Sequence, residues 1–130
     1  MAGGNTVLQG IVSSGIKEGA FFMSLEPYLS SMRKKLGYTP FKGTFNIKVD
    51  ERQAKNFIDS LELINIVGFK KGIKEFGDVK CYPCQIKKII CAITIPEFTR
   101  HDLNTIEIIS EKELRSTLNL KDGDKITISK

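Results

Sequence analysis

The sequence predicts a mainly β fold, a closed barrel with a few short helices. Short runs in which apolar residues alternate with polar ones recur along the chain, as from Phe45 to Val49, and this is the period of a half-buried strand. Turn residues such as Gly68, Gly72, Pro96 and the pair Asp122-Gly123 separate these runs. Only two or three segments carry a helical pattern, too few for the alternating strand–helix–strand units of a parallel sheet.

A chain of 130 residues forms one domain and buries about two-thirds of its unfolded surface. Its 41% hydrophobic and 27% charged residues are ordinary for a soluble globular protein. The longest apolar run, Ile89 to Ile95, is too short to span a membrane. The first residues have neither the basic nor the apolar region of a secretory signal, so residues 1–5 are expected to be a disordered lead-in to a domain over 6–130. Three cysteines, an odd count, suit reduced thiols in a cytoplasm better than a disulfide framework. With 20 Lys+Arg against 15 Asp+Glu, the chain favours a polyanionic partner, and both nucleotide phosphates and nucleic acid qualify.

Residues 6–12 read as the first strand, with Gly10 marking a bulge or a close backbone approach. The stretch 13–19 is a loop, and 21–25 a second strand. Pro27 suits the first turn of a helix whose apolar face is Tyr28, Leu29, Met32 and Leu36, ended by Gly37. After the central strand, 51–60 is a short helix or a loop, 61–67 a strand and 68–72 a turn. Residues 76–86 and 89–95 are two further strands, with Pro83 suggesting an edge or a bulge and Pro96 a stop. Residues 105–109 form another strand, and Ser110 with Glu113 has the spacing of a capping box at a helix start. Asp122-Gly123 turns the chain into a last strand over 125–128.

Alternation puts Thr44 and Asn46 on one side of the central strand, opposite Phe45, Ile47 and Val49. They are either a solvated polar face or two neutral oxygen ligands for a hard cation such as Mg²⁺, completed by water and phosphate. The glycine-bearing loop 13–19 is either a plain hairpin or a nest for phosphate, and it lacks the P-loop string. Cys81 and Cys84 form a C-x-x-C in a strand-like stretch, without the matching second pair that structural zinc requires, so buried packing thiols are expected. His101 has no nucleophile motif to serve and is expected to be a surface or packing residue. Glu107, in an otherwise apolar run, either faces solvent or points into a cavity to meet a ligand.

In order and spacing, these residues resemble the archaeal CTP-dependent riboflavin kinase family, over nearly the whole of residues 7–128. The resemblance is carried by Ser14-Gly15-Ile16-Lys17-Glu18-Gly19, by Tyr28, and by Leu36-Gly37-Tyr38-x-Pro40-x-x-Gly43-Thr44-Phe45-Asn46. It continues through Phe76-Gly77, Pro96-x-x-Thr99-x-His101, Ile106-Glu107-Ile108-Ile109, Leu114-Arg115 and Leu120-Lys121-Asp122-Gly123-Asp124. The resemblance implies a six-stranded cradle-loop, riboflavin-kinase-like β-barrel that moves the γ-phosphate of CTP to the 5′-hydroxyl of riboflavin, giving FMN and CDP. It also implies that Ile16, Lys17, Glu18, Gly19, Ala20 and Phe21, with Lys112, Glu113, Leu114 and Arg115, hold the nucleotide. Thr44 and Asn46 would carry Mg²⁺, and Thr99 and Glu107 would touch the flavin. No catalytic base is assigned, Glu107 being the one motif-matched carboxylate near the expected acceptor.

Two positions depart from the family pattern. Lys17 stands where a further glycine is usual, and Phe45 replaces leucine on the core side of the strand. The enzyme is expected to be a monomer with no membrane partner. The alternative is a barrel-type nucleic-acid-binding module, since residues 120–126 also resemble the hairpin ends of barrel-type transcription regulators. Against it, the basic residues fall in separate segments rather than one stripe with aromatics between them.

Overall fold

The sheet closes on itself. In the computed structural model, which describes residues 7–14, 22, 24–97 and 103–130, nine strands and three short helices are described. The strands are β1 (Val7–Ser13), β2 (Phe45–Lys48), β3 (Ile64–Ile66), β4 (Phe69–Lys71), β5 (Lys74–Phe76), β6 (Val79–Ile86), β7 (Ile89–Pro96), β8 (Thr105–Ser110) and β9 (Lys125–Ser129). The helices are α1 (Glu26–Leu36), α2 (Glu51–Asp59) and α3 (Leu114–Thr117). Strands run in the order β3-β6-β7-β8-β2-β1-β9, and Gln85 of β6 pairs with Ser129 of β9, so six antiparallel strands form a closed barrel with β3 on its flank. Among the described residues no helix is long and apolar enough to cross a membrane.

Alternation along the strands fills the barrel. Leu8, Val12, Phe45, Ile47, Cys84, Ile86, Cys91, Ile93, Ile106, Ile108, Ile126 and Ile128 form the inner core, with Ala54, Phe57 and Ile58 of α2 packed into it. Asp50 caps α2 by accepting a 2.9 Å hydrogen bond from the Gln53 amide, which settles 51–60 as a helix. A second core lies outside the barrel wall, where Tyr28, Leu29 and Met32 of α1 cover Ile66, Val79, Cys81, Ala92 and Ile109. Gly37 ends α1 in the left-handed conformation, φ 87°. Gly10 marks a close approach: a Cβ there would stand 2.3 Å from Ile47 Cγ2 and 2.7 Å from the Lys48 carbonyl.

Several sequence expectations change. Residues 21–25 are not a strand where described: Phe22 is helical, Ser24 lies in a turn and Leu25 precedes α1. Phe22 instead sets its ring edge-on against Tyr28, 5.4 Å between centroids, so its apolar character serves the outer core. Within 61–67 only Ile64–Ile66 pairs. Within 68–72, Phe69–Lys71 is itself a strand, paired with β5, and Phe69 stacks on Phe76 at 4.7 Å. The expected strand 76–86 breaks at Gly77-Asp78, where the Asp78 carboxylate accepts from the Gly68 amide (2.7 Å) and Asn65 Nδ2 (3.0 Å). Pro83 pairs with Ala92 on one side; on the other it falls between the β3 contact at Cys81 and the β9 contact at Gln85, where no amide is needed.

The capping box is overturned. Ser110 ends β8, donating its hydroxyl to the Ile90 carbonyl (3.0 Å) and accepting from the Lys112 amide (3.3 Å). The residue before α3 is Glu113, without a side-chain cap. Cross-strand burial has claimed the hydroxyl that the motif assigned to the helix. The lead-in 1–5, the loop residues 15–21, Thr99 and His101 lie outside the described residues.

Candidate functional site

Five polar side chains are buried among the described residues, and four of them form one row. Ser13 of β1 stands opposite Asn46 of β2, Asn46 opposite Glu107 of β8, and Glu107 opposite Thr94 of β7. Directly opposed residues of an antiparallel pair project from the same face, with Cβ atoms about 5 Å apart. The row continues to Cys81, opposite Thr94, in the outer core under α1. It therefore runs along the outer wall of the barrel, opposite in sense to the inner row of Phe45, Ile47, Ile106 and Ile108.

This removes the solvated alternatives for two predicted residues. Asn46 is 7% exposed and Glu107 only 2%, so neither is a solvent-facing strand position. Phe45 sits in the inner core as expected. Thr94 donates its hydroxyl to the Glu107 carbonyl at 3.3 Å, tying β7 to β8 within the row. Sequence reasoning missed Ser13 and Thr94. A lone threonine within the apolar run of residues 89–95 is the available signal, whereas Ser13, followed by Ser14-Gly15, has the composition of a loop start.

A pocket of about 150 Å³ opens beside the row. It is lined by Thr44, which immediately precedes β2, and by Lys112, Glu113, Leu114 and Arg115, with Phe45 and Ile108 of the barrel wall. Two separately predicted groups, Thr44 and the segment 112–115, thus meet at one opening. Asn46 and Glu107 are not in its lining; they are the next residue pair on the same β2–β8 ladder after Phe45 and Ile108, and project from the other face. The turn before Thr44 is held by the Phe41 amide donating to the Ser110 carbonyl (2.7 Å) and the Gly43 amide donating to the Phe41 carbonyl (2.9 Å).

Arg115 does more than line the pocket. Its Nη2 donates to the Ser13 carbonyl (2.9 Å), to Ser14 Oγ (2.9 Å) and to Asp122 Oδ1. Ser14 in turn donates to the same carboxylate, at 2.9 and 3.0 Å. The Arg115 and Ser14 hydrogen bonds hold the Asp122 carboxyl below the usual carboxylate range. Backbone bonds from Val12 N to Asp124 O (2.8 Å) and from Gly123 N to Val12 O (2.9 Å) complete the join between β1 and the 122–124 turn.

None of the thiols lines this pocket. Cys84 and Cys91 face the inner core with sulfurs 3.5 Å apart, and Cys81 faces the outer core. The two ends of the C-x-x-C lie on opposite sides of the sheet, so they cannot share one ion. Burial pushes the Cys81 thiol up to about 12, and the Cys84 contact followed by burial raises Cys91, so both stay protonated and inert.

Among the described residues no group of three or more His, Cys, Asp or Glu side chains is placed to hold a metal ion. The donors near Asn46 are oxygens, with Glu107 the one carboxylate in the row. Such a set fits a hard divalent cation that keeps water and phosphate ligands, and does not fit zinc.

The family model CTP-dep_RFKase, described as a domain of unknown function (DUF120), matches residues 12–129. The chain belongs to this family. It is 45% identical over 123 residues to a riboflavin kinase of Pyrobaculum islandicum, an alignment covering 93% of this chain and 58% of that protein. It is 41% identical to a riboflavin kinase of Methanospirillum hungatei (94% of this chain, 56% of that protein) and 40% identical to one of Thermoplasma acidophilum (95% and 57%). The chain thus spans somewhat more than half the length of these curated relatives.

Proposed function

We propose that the chain is a CTP-dependent riboflavin kinase, transferring the γ-phosphate of CTP to the 5′-hydroxyl of riboflavin to give FMN and CDP. The observation that carries this is the meeting of Thr44 with residues 112–115 at one pocket, beside a buried row in which Asn46 faces Glu107. The names of the relatives support the acceptor and the name of the family model supports the donor.

In this reading Lys112 to Arg115, with residues 16–21, hold the triphosphate. Thr44 and Asn46 would hold Mg²⁺, which supplies charge neutralisation on the transferring phosphoryl group. Glu107 and Thr99 contact the flavin. A new bond joins the 5′-oxygen to the γ-phosphorus, the bond from that phosphorus to the β,γ-bridging oxygen breaks, and CDP leaves. The Glu107 carboxylate is the group available to accept the hydroxyl proton. Because phosphoryl transfer depends on positioning and electrostatics, a buried, pre-packed row contributes by holding these atoms without reorganisation. Three buried reduced thiols suit a reducing compartment, and we place the reaction in the cytoplasm.

The test is incubation with riboflavin, Mg²⁺ and each of the four nucleoside triphosphates in turn, with FMN as readout. FMN from CTP alone is expected. FMN formed equally from ATP overturns the donor, and none from any triphosphate overturns the kinase.

The nucleic-acid alternative gains nothing from the fold. Arg33, Lys34 and Lys35 end α1, Lys70, Lys71 and Lys74 lie on the β4–β5 hairpin, and Lys87 and Lys88 turn β6 into β7. None of these residues lines the pocket where Thr44 meets residues 112–115.

A further inference from the structure

Ser13 closes β1 at the end of the buried row, directly opposite Asn46. It is 8% exposed, and among the described residues its Oγ has no hydrogen-bond partner. A buried hydroxyl without a partner destabilises the fold relative to one that is satisfied. Nothing about the strand requires a hydroxyl there: Leu8 and Val12 supply the inner packing of β1, and the Ser13 backbone is already fixed by pairing with Asn46 and by Arg115 bonding its carbonyl. The neighbouring Ser14, in contrast, has its hydroxyl fully engaged by Arg115 and Asp122.

We propose that Ser13 is a further binding residue of the phosphoryl-transfer site, its hydroxyl hydrogen-bonding the metal–triphosphate, at a phosphate oxygen or a metal-bound water, beside Asn46. The inference rests on the kinase reading above. Cross-strand geometry brings Ser13 Cβ to within about 5 Å of Asn46 Cβ, so a ligand oxygen held at the Asn46 amide lies within reach of Ser13 Oγ. A triphosphate oxygen would accept from this hydroxyl, whereas a metal-bound water would donate to its oxygen. Serine at this position thus trades stability of the free protein for affinity in the complex.

The experiment compares wild type, Ser13→Ala and Ser13→Cys, the last keeping the volume with a much weaker donor. Each is titrated calorimetrically with CTP in the presence of Mg²⁺, with CTP alone, and with Mn²⁺ alone followed by its paramagnetic resonance. Each is also melted without ligand. Both variants should melt at or above the wild-type temperature, yet bind CTP with Mg²⁺ roughly tenfold more weakly. Weakening that appears with CTP alone points to a triphosphate oxygen. Weakening confined to the arms containing metal points to the metal's water, and either pattern supports the proposal. Variants that bind as tightly as wild type overturn it while leaving the kinase reading standing. Variants that melt lower with unchanged affinity overturn it in favour of a structural hydroxyl. A wild type that binds no CTP under any condition overturns this inference together with CTP as the donor.

Discussion

Arg115 and Asp122, seven residues apart across α3 and its following turn, are joined through Nη2 and Oδ1, and the same nitrogen holds the Ser13 carbonyl and Ser14 Oγ. One guanidinium therefore fixes the end of β1, the pocket rim and the 122–124 turn together. A residue first read as a nucleotide contact is equally an internal brace. The two roles are compatible, because a guanidinium offers five donors in a rigid fork.

The brace makes a pH prediction. The Asp122 carboxyl is lowered by the Arg115 and Ser14 hydrogen bonds, so its contribution to stability is present above the ordinary aspartate value and is lost as pH falls through the lowered folded value. Asp122→Asn should reduce the steepness of acid destabilisation below about pH 4, the ordinary aspartate range. The effect should be small and weaker in high salt, since the Asp122 side chain is 59% exposed. Melting curves at neutral and acid pH, with and without added salt, check this. Identical acid profiles for the two proteins would mean that the pair carries no net stability.

Asn46→Ala should leave the barrel folded but lower turnover by on the order of a hundredfold or more, because one oxygen ligand of the proposed cation is lost where charge develops. The decisive condition is limiting Mg²⁺. Full activity there, from a protein with a native melting curve, removes the metal assignment from this residue.

The double substitution of Cys81 and Cys84 by serine should preserve activity while lowering stability by about 1–3 kcal/mol per buried hydroxyl. The two positions face different cores, so their costs should add. Denaturant unfolding measures the loss. Stoichiometric zinc in the wild-type protein, released by the substitution, would show that the pair has another role.

Much of this architecture is legible in the sequence because period-2 alternation fixes which side of a strand faces the core. Phe45 and Ile47 could be assigned inward, and Thr44 and Asn46 grouped, from four residues alone. What the sequence does not reveal is that the other side of β2 is also buried. That depends on strand order, since Asn46 is covered in the row that Ser13, Glu107 and Thr94 complete from three other strands. The same limit explains the failed capping box. The spacing of Ser110 and Glu113 is correct, but the carbonyl that takes the Ser110 hydroxyl comes from Ile90, twenty residues away on the neighbouring strand. Local motifs lose when a distant partner in the sheet competes for the same group.

That correction is testable in its own right. If a capping box stabilised α3, Glu113→Ala would cost about 1 kcal/mol. With Glu113 exposed and making no side-chain cap, the substitution should change stability by less than about 0.5 kcal/mol. Ser110→Ala, by contrast, removes hydrogen bonds to Ile90 and Lys112 and should both lower stability and raise the KM for CTP, because Lys112 lines the pocket. An unstable Glu113→Ala beside an unaffected Ser110→Ala would restore the helix-capping account.

The most searching prediction concerns Asn46 and Glu107 as a pair. In the proposed reaction they serve different ligands, one the metal and the other the flavin, yet they stand directly opposite each other on β2 and β8. Residues that hold two reactants within one shared geometry act as a unit, so removing either should already forfeit most of what the pair provides. Glu107→Gln keeps the shape of the buried side chain and replaces its carboxyl by an amide, which should spare the fold while lowering kcat with riboflavin by roughly tenfold or more. Adding Asn46→Ala to that variant should then cost much less than it does in the wild type, a coupling of about 0.5–3 kcal/mol. Turnover of the four proteins of this cycle, each verified by its melting curve, gives the answer. Strictly additive losses would mean that the two side chains act on separate events, and the row would then be a packing feature of the barrel wall rather than the point where donor and acceptor are brought together.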